Sequence, residues 1–331
     1  MTEKTVDVLA IGNAIVDVIT DSDDDFLHSH GMAKGGMRLI DAGDAERLYA
    51  AMGPGRELSG GSAANTVAGL AALGLRTGFV GQIGEDELGE IFAHDIRSLG
   101  VRFDTPPRGD AGPTGRCLIL VTPDAQRTMN TFLGAAQRLE RSAIDEASVA
   151  AARIVYLEGY LWDPEEPRAA MEAAIGHARS AGTKVAFTLS DGFVVERHRA
   201  DFLRLIDEGK IDILFANEHE FQHLAHGAEL DEAVAKFAPR IPTLVVTRSE
   251  RGALACSNGE RAQVHAEPIE RLVDTTGAGD LFAAGFLAGQ ARGKSLEHSL
   301  RLGAIAASEV IQHYGARPEL DLAALAAPLL D

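Results

Sequence analysis

Short apolar runs rich in β-branched residues recur along this chain, at residues 6–11, 77–83, 153–157, 184–189, 211–215 and 243–246. Between them lie segments with helical spacing of apolar residues, at 62–73, 87–99, 166–181, 197–207 and 231–238. No other feature constrains the fold as much. Neighbouring parallel strands cannot be joined by a tight hairpin, and the crossover they need is usually a helix. The alternation predicts an α/β chain with a mostly parallel sheet and helices on both faces. Glycines punctuate it: Gly60-Gly61 opens the helix at 62–73, Gly74 closes it, and Gly100 closes the helix at 87–99.

Two segments break this pattern. Residues 13–43 and 101–135 hold strand-like pieces at 117–122 and 128–132, with turn signals at Pro106-Pro107 and Pro123-Asp124. They are expected to form a small separate β-sheet. The main α/β body is then expected to comprise 1–12, 44–100 and 136–331. No internal repeat and no clean linker interrupts the chain.

The balance of 31 basic and 49 acidic residues gives a formal charge of -18. A nucleic-acid binder wants the opposite sign, so that class is disfavoured. A small anion such as a nucleotide can still bind through backbone dipoles and a metal ion. Cys117 and Cys256 are the only cysteines in 331 residues. That usage fits a reducing compartment without a disulfide framework. The N-terminal apolar run is broken by Asp17 and by acidic residues at 21–25, so it resembles neither a signal peptide nor a membrane span. The expectation is a cytoplasmic protein with no membrane partner.

Asp274-Thr275-Thr276-Gly277-Ala278-Gly279-Asp280 runs straight into an apolar, small-residue stretch at 281–289. Such a glycine-rich turn offers free backbone N–H groups and the positive end of a helix dipole, which suit a phosphate. A carboxylate at position 280 repels a phosphate, but it makes sense as the acceptor of a proton from an attacking hydroxyl. The plain alternative is a turn with an acidic first helical residue. Gly60-Gly61-Ser62-Ala63-Ala64-Asn65 is a second such turn, where small residues let a ligand approach the backbone and Asn65 can meet a substrate hydroxyl. Gly12-Asn13 follows the first strand, and Asp17 lies beyond it. Ligands in open α/β sheets sit outside the carboxyl ends of the strands, where one carboxylate can hold two sugar hydroxyls. Asn217 and Glu220 are three residues apart after the run at 211–215. They read either as oxygen donors for a hydrated Mg²⁺ or as an N-cap with its capping-box glutamate. Thr247 to Gly252 connects two strands and says little alone.

Two motifs mislead. His219-Glu220-Phe221-Gln222-His223 matches the zinc-protease helix H-E-x-x-H, but no third protein ligand is marked. Gly289-Gln290-Ala291-Arg292-Gly293-Lys294-Ser295 has three residues between its glycines where a P-loop has four, and it follows a helix. Ser295 there reads as an N-cap.

Together and in this order, the motifs resemble the ribokinase-like (PfkB) family of carbohydrate and nucleoside kinases, from Gly12 to about Gly315. The D-T-x-G-A-G-D block is specific to that family, and the upstream G-G-x-x-x-N supports it. The resemblance implies a ribokinase-like three-layer α/β/α sandwich with a small β-sheet lid formed by 13–43 and 101–135. It implies that Asp280 is the catalytic base and that Gly277, Ala278 and Gly279 form the anion hole for the transferring phosphoryl group. Asn13, Asp17, Gly60, Gly61, Asn65 and Arg127 would face the acceptor. Asn217, Thr247 and Gly252 would border ATP, and Glu220 would reach Mg²⁺ through water. The backbones of Asp274, Thr276 and Gly315 match positions that hold a monovalent cation such as K⁺ in some members. Lids in this family often dimerise, which makes a homodimer an expectation.

The acceptor is less marked. Residues 12–18, 25–27 and 60–66, with Arg127-Thr128-Met129 and Leu133-Gly134-Ala135-Ala136, resemble the adenosine-kinase-like branch. Ribokinases and fructokinases more often carry a different pair inside the G-G-x-x-x-N motif. A nucleoside, adenosine first, is therefore the leading acceptor. A free sugar (ribose, fructose or a 2-keto-3-deoxy acid) and a catalytically silent binding protein on the same fold are the alternatives.

Overall fold

A computed structural model describes residues 3–124 and 126–330. Positions 1, 2 and 331, at the ends of the expected main body, and 125, inside the expected second lid segment, lie outside the described residues. The described strands are β1 Val6–Ile11, β2 Ile15–Asp21, β3 Met37–Leu39, β4 Arg56–Gly60, β5 Thr77–Val80, β6 Arg102–Phe103, β7 Gly115–Val121, β8 Arg127–Phe132, β9 Ala152–Glu158, β10 Lys184–Thr188, β11 Ile213–Asn217, β12 Thr243–Thr247, β13 Ala253–Ser257 and β14 Glu260–Val264.

The larger sheet has the order β14-β13-β12-β11-β10-β9-β1-β5-β6. From β12 through β6 every pairing is parallel, and only the pairings of β13 with β12 and β14 are antiparallel. The expected alternation is therefore present, with each helical stretch near its expected place. Side chains alternate across β1: Val8 and Ala10 enter one core, Leu9 and Ile11 the other. The first core holds the helices Ser62–Ala72, Glu87–Ser98, Ala278–Ala291 and Leu296–Val310. The second holds Glu165–Ala181 and Gly192–Asp207. A sheet buried on both faces explains why its strands read as continuous apolar runs.

The smaller sheet has the order β3-β8-β7-β2-β4. Its membership corrects the expected segments in two places. Residues 56–60, assigned from sequence to the main body, form β4 and pair antiparallel with β2, and the helix Ala42–Ala51 contacts β7 and β8. Residues 102–103, expected in the small sheet, pair instead with β5 at the edge of the large one. Arg-Glu-Leu-Ser-Gly carries no β-branched signal, so only its partner strand makes it a strand. The pairing Ile15↔Gly60 brings the end of β4 beside the start of β2, which sets the turn at Gly60-Gly61 next to Asn13.

Candidate active site

The carboxyl ends of the parallel strands converge as an open α/β sheet requires. β1 delivers Asn13, β9 delivers Glu158, β11 delivers Asn217 and β12 delivers Thr247. The two glycine turns close over these ends. Gly61 has φ 100° and ψ 143°, a conformation essentially restricted to glycine, and a β-carbon there would lie 2.2 Å from the Asn13 carbonyl oxygen. Gly277 is left-handed at φ 79°, and its own would-be β-carbon falls 2.5 Å from Cβ of Ala316. It is the N-cap of Ala278–Ala291. The N–H of Ala278 is committed to the Thr275 carbonyl at 3.2 Å, while those of Gly277 and Gly279 have no partner among the described residues. Amides left free at a helix start are the kind of donors an anion can take.

Asp280 sits in the first turn of that helix and lines a cleft of about 100 Å³ together with Ser62, Asn217, Glu220, Thr247 and Gly279. Ser62 Oγ donates to its Oδ1 at 2.6 Å, and Asn65 Nδ2 donates to its Oδ2 at 2.9 Å. Burial pushes the Asp280 carboxyl above its ordinary range, and the hydrogen bonds from Ser62 and Asn65 and the Arg317 guanidinium pull it back. A carboxylate so placed is oriented, reachable from a cleft and a better proton acceptor than a solvated one.

Asp17 faces Gly60, whose would-be β-carbon lies 2.5 Å from the Asp17 carboxyl carbon. Burial lifts the Asp17 carboxyl to about 6 against the opposing charges of Arg317 and Arg127. Asn13 donates its side-chain amide to Glu158 Oε1 at 2.5 Å. Glu158 is 1% exposed and also accepts from the Ala63 N–H at 2.9 Å. Burial raises its carboxyl to about 7.

Asn217 and Glu220 form a complete capping box: Asn217 Oδ1 accepts from the Glu220 N–H at 2.8 Å, and Glu220 Oε2 accepts from the Asn217 N–H at 3.0 Å. The capping-box reading of this pair is met, and both residues also line the cleft. Burial lifts the Glu220 carboxyl to about 7, with Asp191 and Asp280 adding repulsion and the Asn217 N–H opposing them. Its other oxygen, Oε1, accepts from Asn217 Nδ2 at 2.6 Å, and a carboxylate on a cleft wall is the kind of oxygen ligand a hydrated hard cation takes. Gly252 lies outside this cleft lining, in the turn between β12 and β13, where Arg248 N–H donates to its carbonyl at 2.8 Å.

The expected cation positions also come together. Asp274 accepts from the Thr276 N–H at 3.0 Å and from the Gly315 N–H at 3.1 Å. Arg127, expected on the acceptor, ion-pairs with Asp274, both side chains being buried, and its charge also acts on Asp17. It joins the small sheet to the phosphate-side turn. A larger cavity of about 340 Å³ lies against β1 and β5, but it holds none of these residues. Sequence reasoning did not single out Ser62, Glu158 or Arg317. Ser62 was within a quoted motif, whereas nothing near Glu158 or Arg317 marked them.

The chain is similar to known kinases. The pattern described as pfkB family carbohydrate kinase matches residues 51–322. Adenosine kinase from Sinorhizobium meliloti is 47% identical, with a TM-score of 0.89, over 98% of this chain and 99% of that one. A probable sugar kinase protein from Rhizobium etli is 45% identical, with a TM-score of 0.90, over 99% of this chain and 100% of that one. Adenosine kinase from Saccharomyces cerevisiae is 28% identical over 333 residues, which cover 94% of this chain and 96% of the yeast protein. The chain belongs to the pfkB family of carbohydrate kinases, on its adenosine-kinase-like branch, and is a phosphotransferase acting on an alcohol group.

Proposed function

We propose that this kinase transfers the γ-phosphoryl group of ATP to the hydroxymethyl group of a nucleoside, adenosine foremost, with Asp280 as general base. The observation that carries the reading is the Asp280 carboxylate. It is held by Ser62 and Asn65 in a cleft that Gly279 lines, beside the turn whose Gly277 and Gly279 amides have no partner among the described residues. Asp280 takes the hydroxyl proton. The acceptor oxygen bonds to the γ-phosphorus while the bond from phosphorus to the ADP oxygen breaks. Transfer of this kind depends on positioning and on charge stabilisation, which fixed amides provide without reorganising. Ala278 adds its place in the turn, although its own N–H is committed.

Asn13, Asp17, Gly60, Gly61 and Asn65 form the acceptor wall. Asn217, Thr247 and the turn at Gly252 border ATP. Kinases of this family use ATP and a divalent metal. Here Glu220, steadied by Asn217, would hold hydrated Mg²⁺, which neutralises phosphate charge when bound. At Asp274 the positive charge already comes from Arg127. The K⁺ expectation at Asp274, Thr276 and Gly315 therefore stays a secondary proposal, with no step assigned to it. The small sheet, tied to the turn by that ion pair, is the lid. Its outer strand β3 leaves Met37 and Leu39 56% and 65% exposed, which favours pairing of two copies through it. Among the described residues no helix is long and apolar enough to cross a membrane.

The names of the relatives support adenosine, and so do the residues at 12–18 and 60–66. The sugar-kinase reading keeps one specific support, the similarity to the R. etli protein. Incubation with ATP and Mg²⁺ against a panel of nucleosides and sugars decides between them. Formation of AMP from adenosine is the expected result. A phosphorylated sugar with no AMP overturns the acceptor, and no phosphorylated product overturns the reading as a whole.

A further inference from the structure

Arg317 belongs to no motif, yet it touches the acceptor half of the site from an unusual position. Its Nη1 donates to the Ala64 carbonyl at 2.9 Å. Its Nη2 donates to the Ser59 carbonyl, and also to Ser59 Oγ at 3.0 Å. Ser59 is itself pinned by Asp95, which accepts from its N–H at 2.8 Å and its hydroxyl at 2.6 Å. The guanidinium thus bridges the two ends of the turn Gly60-Gly61-Ser62-Ala63. It faces three carboxylates, those of Asp17, Asp95 and Asp280. Its Nε is closed off from solvent and has no hydrogen-bond partner among the described residues.

The two residues before it touch the phosphoryl half. Ala316 packs so closely on Gly277 that a side chain there would strike its Cβ. The N–H of Gly315 donates to Asp274. Three consecutive residues therefore contact both glycine turns, which are more than 200 residues apart in the chain.

We propose that Arg317 is a positioning residue and that the strap Gly315-Ala316-Arg317 holds the acceptor turn in register with the phosphoryl turn. A planar guanidinium can bridge two carbonyls at fixed spacing, which an ammonium cannot do. This rests on Asp280 being the base, because register matters only if the acceptor oxygen must meet both that carboxylate and the γ-phosphorus.

The test uses the full chain with ATP, Mg²⁺ and the acceptor found active with the unaltered protein. It measures ADP release and phosphorylated acceptor separately. Arg317→Gln is expected to lower kcat/KM for the acceptor ~10²-fold, the cost of a displacement of about 1 Å. Nucleotide affinity stays unchanged, and the share of ADP formed by hydrolysis to water rises. Arg317→Lys keeps the charge but loses the fork, so it is expected to stay impaired. Added guanidinium is expected to restore part of the transfer in Arg317→Ala. The proposal is overturned if transfer is unaltered in Arg317→Gln. It is also overturned if Arg317→Lys behaves as the unaltered protein, or if transfer and nucleotide affinity fall together. Should Arg317→Gln not fold, Arg317→Lys provides the same reading. Absence of phosphorylated product with the unaltered protein counts against the proposed function instead.

Discussion

Asn65 donates its side-chain amide to Oδ2 of Asp280 at 2.9 Å, across 215 residues of sequence. The sequence placed Asn65 on the acceptor and Asp280 on its hydroxyl proton. The structure joins them, so the residue proposed to meet the substrate also orients the proposed base. An amide nitrogen has two hydrogens, and its oxygen is a further acceptor. One side chain can serve both partners.

Asp280→Asn is expected to lose ~10²–10⁴-fold in kcat, the usual worth of a positioned general base. Nucleotide affinity, measured by calorimetry with a non-hydrolysable ATP analogue, is expected to survive. Turnover near that of the unaltered protein removes Asp280 from the mechanism.

Asn65→Ala and Ser62→Ala each delete a hydrogen bond to a charged carboxylate, worth about 1.5–3 kcal/mol. Each is expected to lower kcat ~10-fold or more, since 1.4 kcal/mol is tenfold. Added to Asp280→Asn, neither should lower kcat further, because residues acting as a unit are not additive. Full additivity in that cycle disproves the coupling.

Gly61→Ala places a β-carbon 2.2 Å from the Asn13 carbonyl at a φ of 100°. The backbone strain alone is about 1–3 kcal/mol. Chemical denaturation should show a loss of that order, and KM for the acceptor should rise. A variant with unaltered stability and KM contradicts the turn geometry.

Glu158 gives a pH dependence whose sign follows from its burial. The folded carboxyl lies at about 7, against an ordinary value of 4.5. Between those values the folded protein keeps a proton that the unfolded chain has released. The contribution to stability is therefore present below the ordinary value and is lost as pH rises through 7. Tm is expected to fall less between pH 5 and pH 8 in Glu158→Gln than in the unaltered protein. Parallel Tm curves rule this out.

Asn217→Ala removes an N-cap, at about 1 kcal/mol. If the capping box also holds Glu220 toward the nucleotide, KM for MgATP rises as well. A loss of stability with unchanged KM leaves only the structural role.

The parallel sheet and the helix ends were legible in the sequence because they are local. The period of apolar residues is written in contiguous positions, and so is the placing of a glycine after a helix. The glycine turn at 277–279 that opens a helix was legible for the same reason. The tertiary structure decided everything that depends on a distant partner. β4 is a strand because β2 lies beside it, and Glu158 matters because the chain returns Asn13 and Ala63 to its carboxylate. The pairing of Arg127 with Asp274 and the contacts of Arg317 had no signal at all, because nothing in their neighbouring residues encodes a carboxylate or carbonyl brought in by packing. Local spacing dictates which elements form, and the burial of charge between elements dictates which side chains meet.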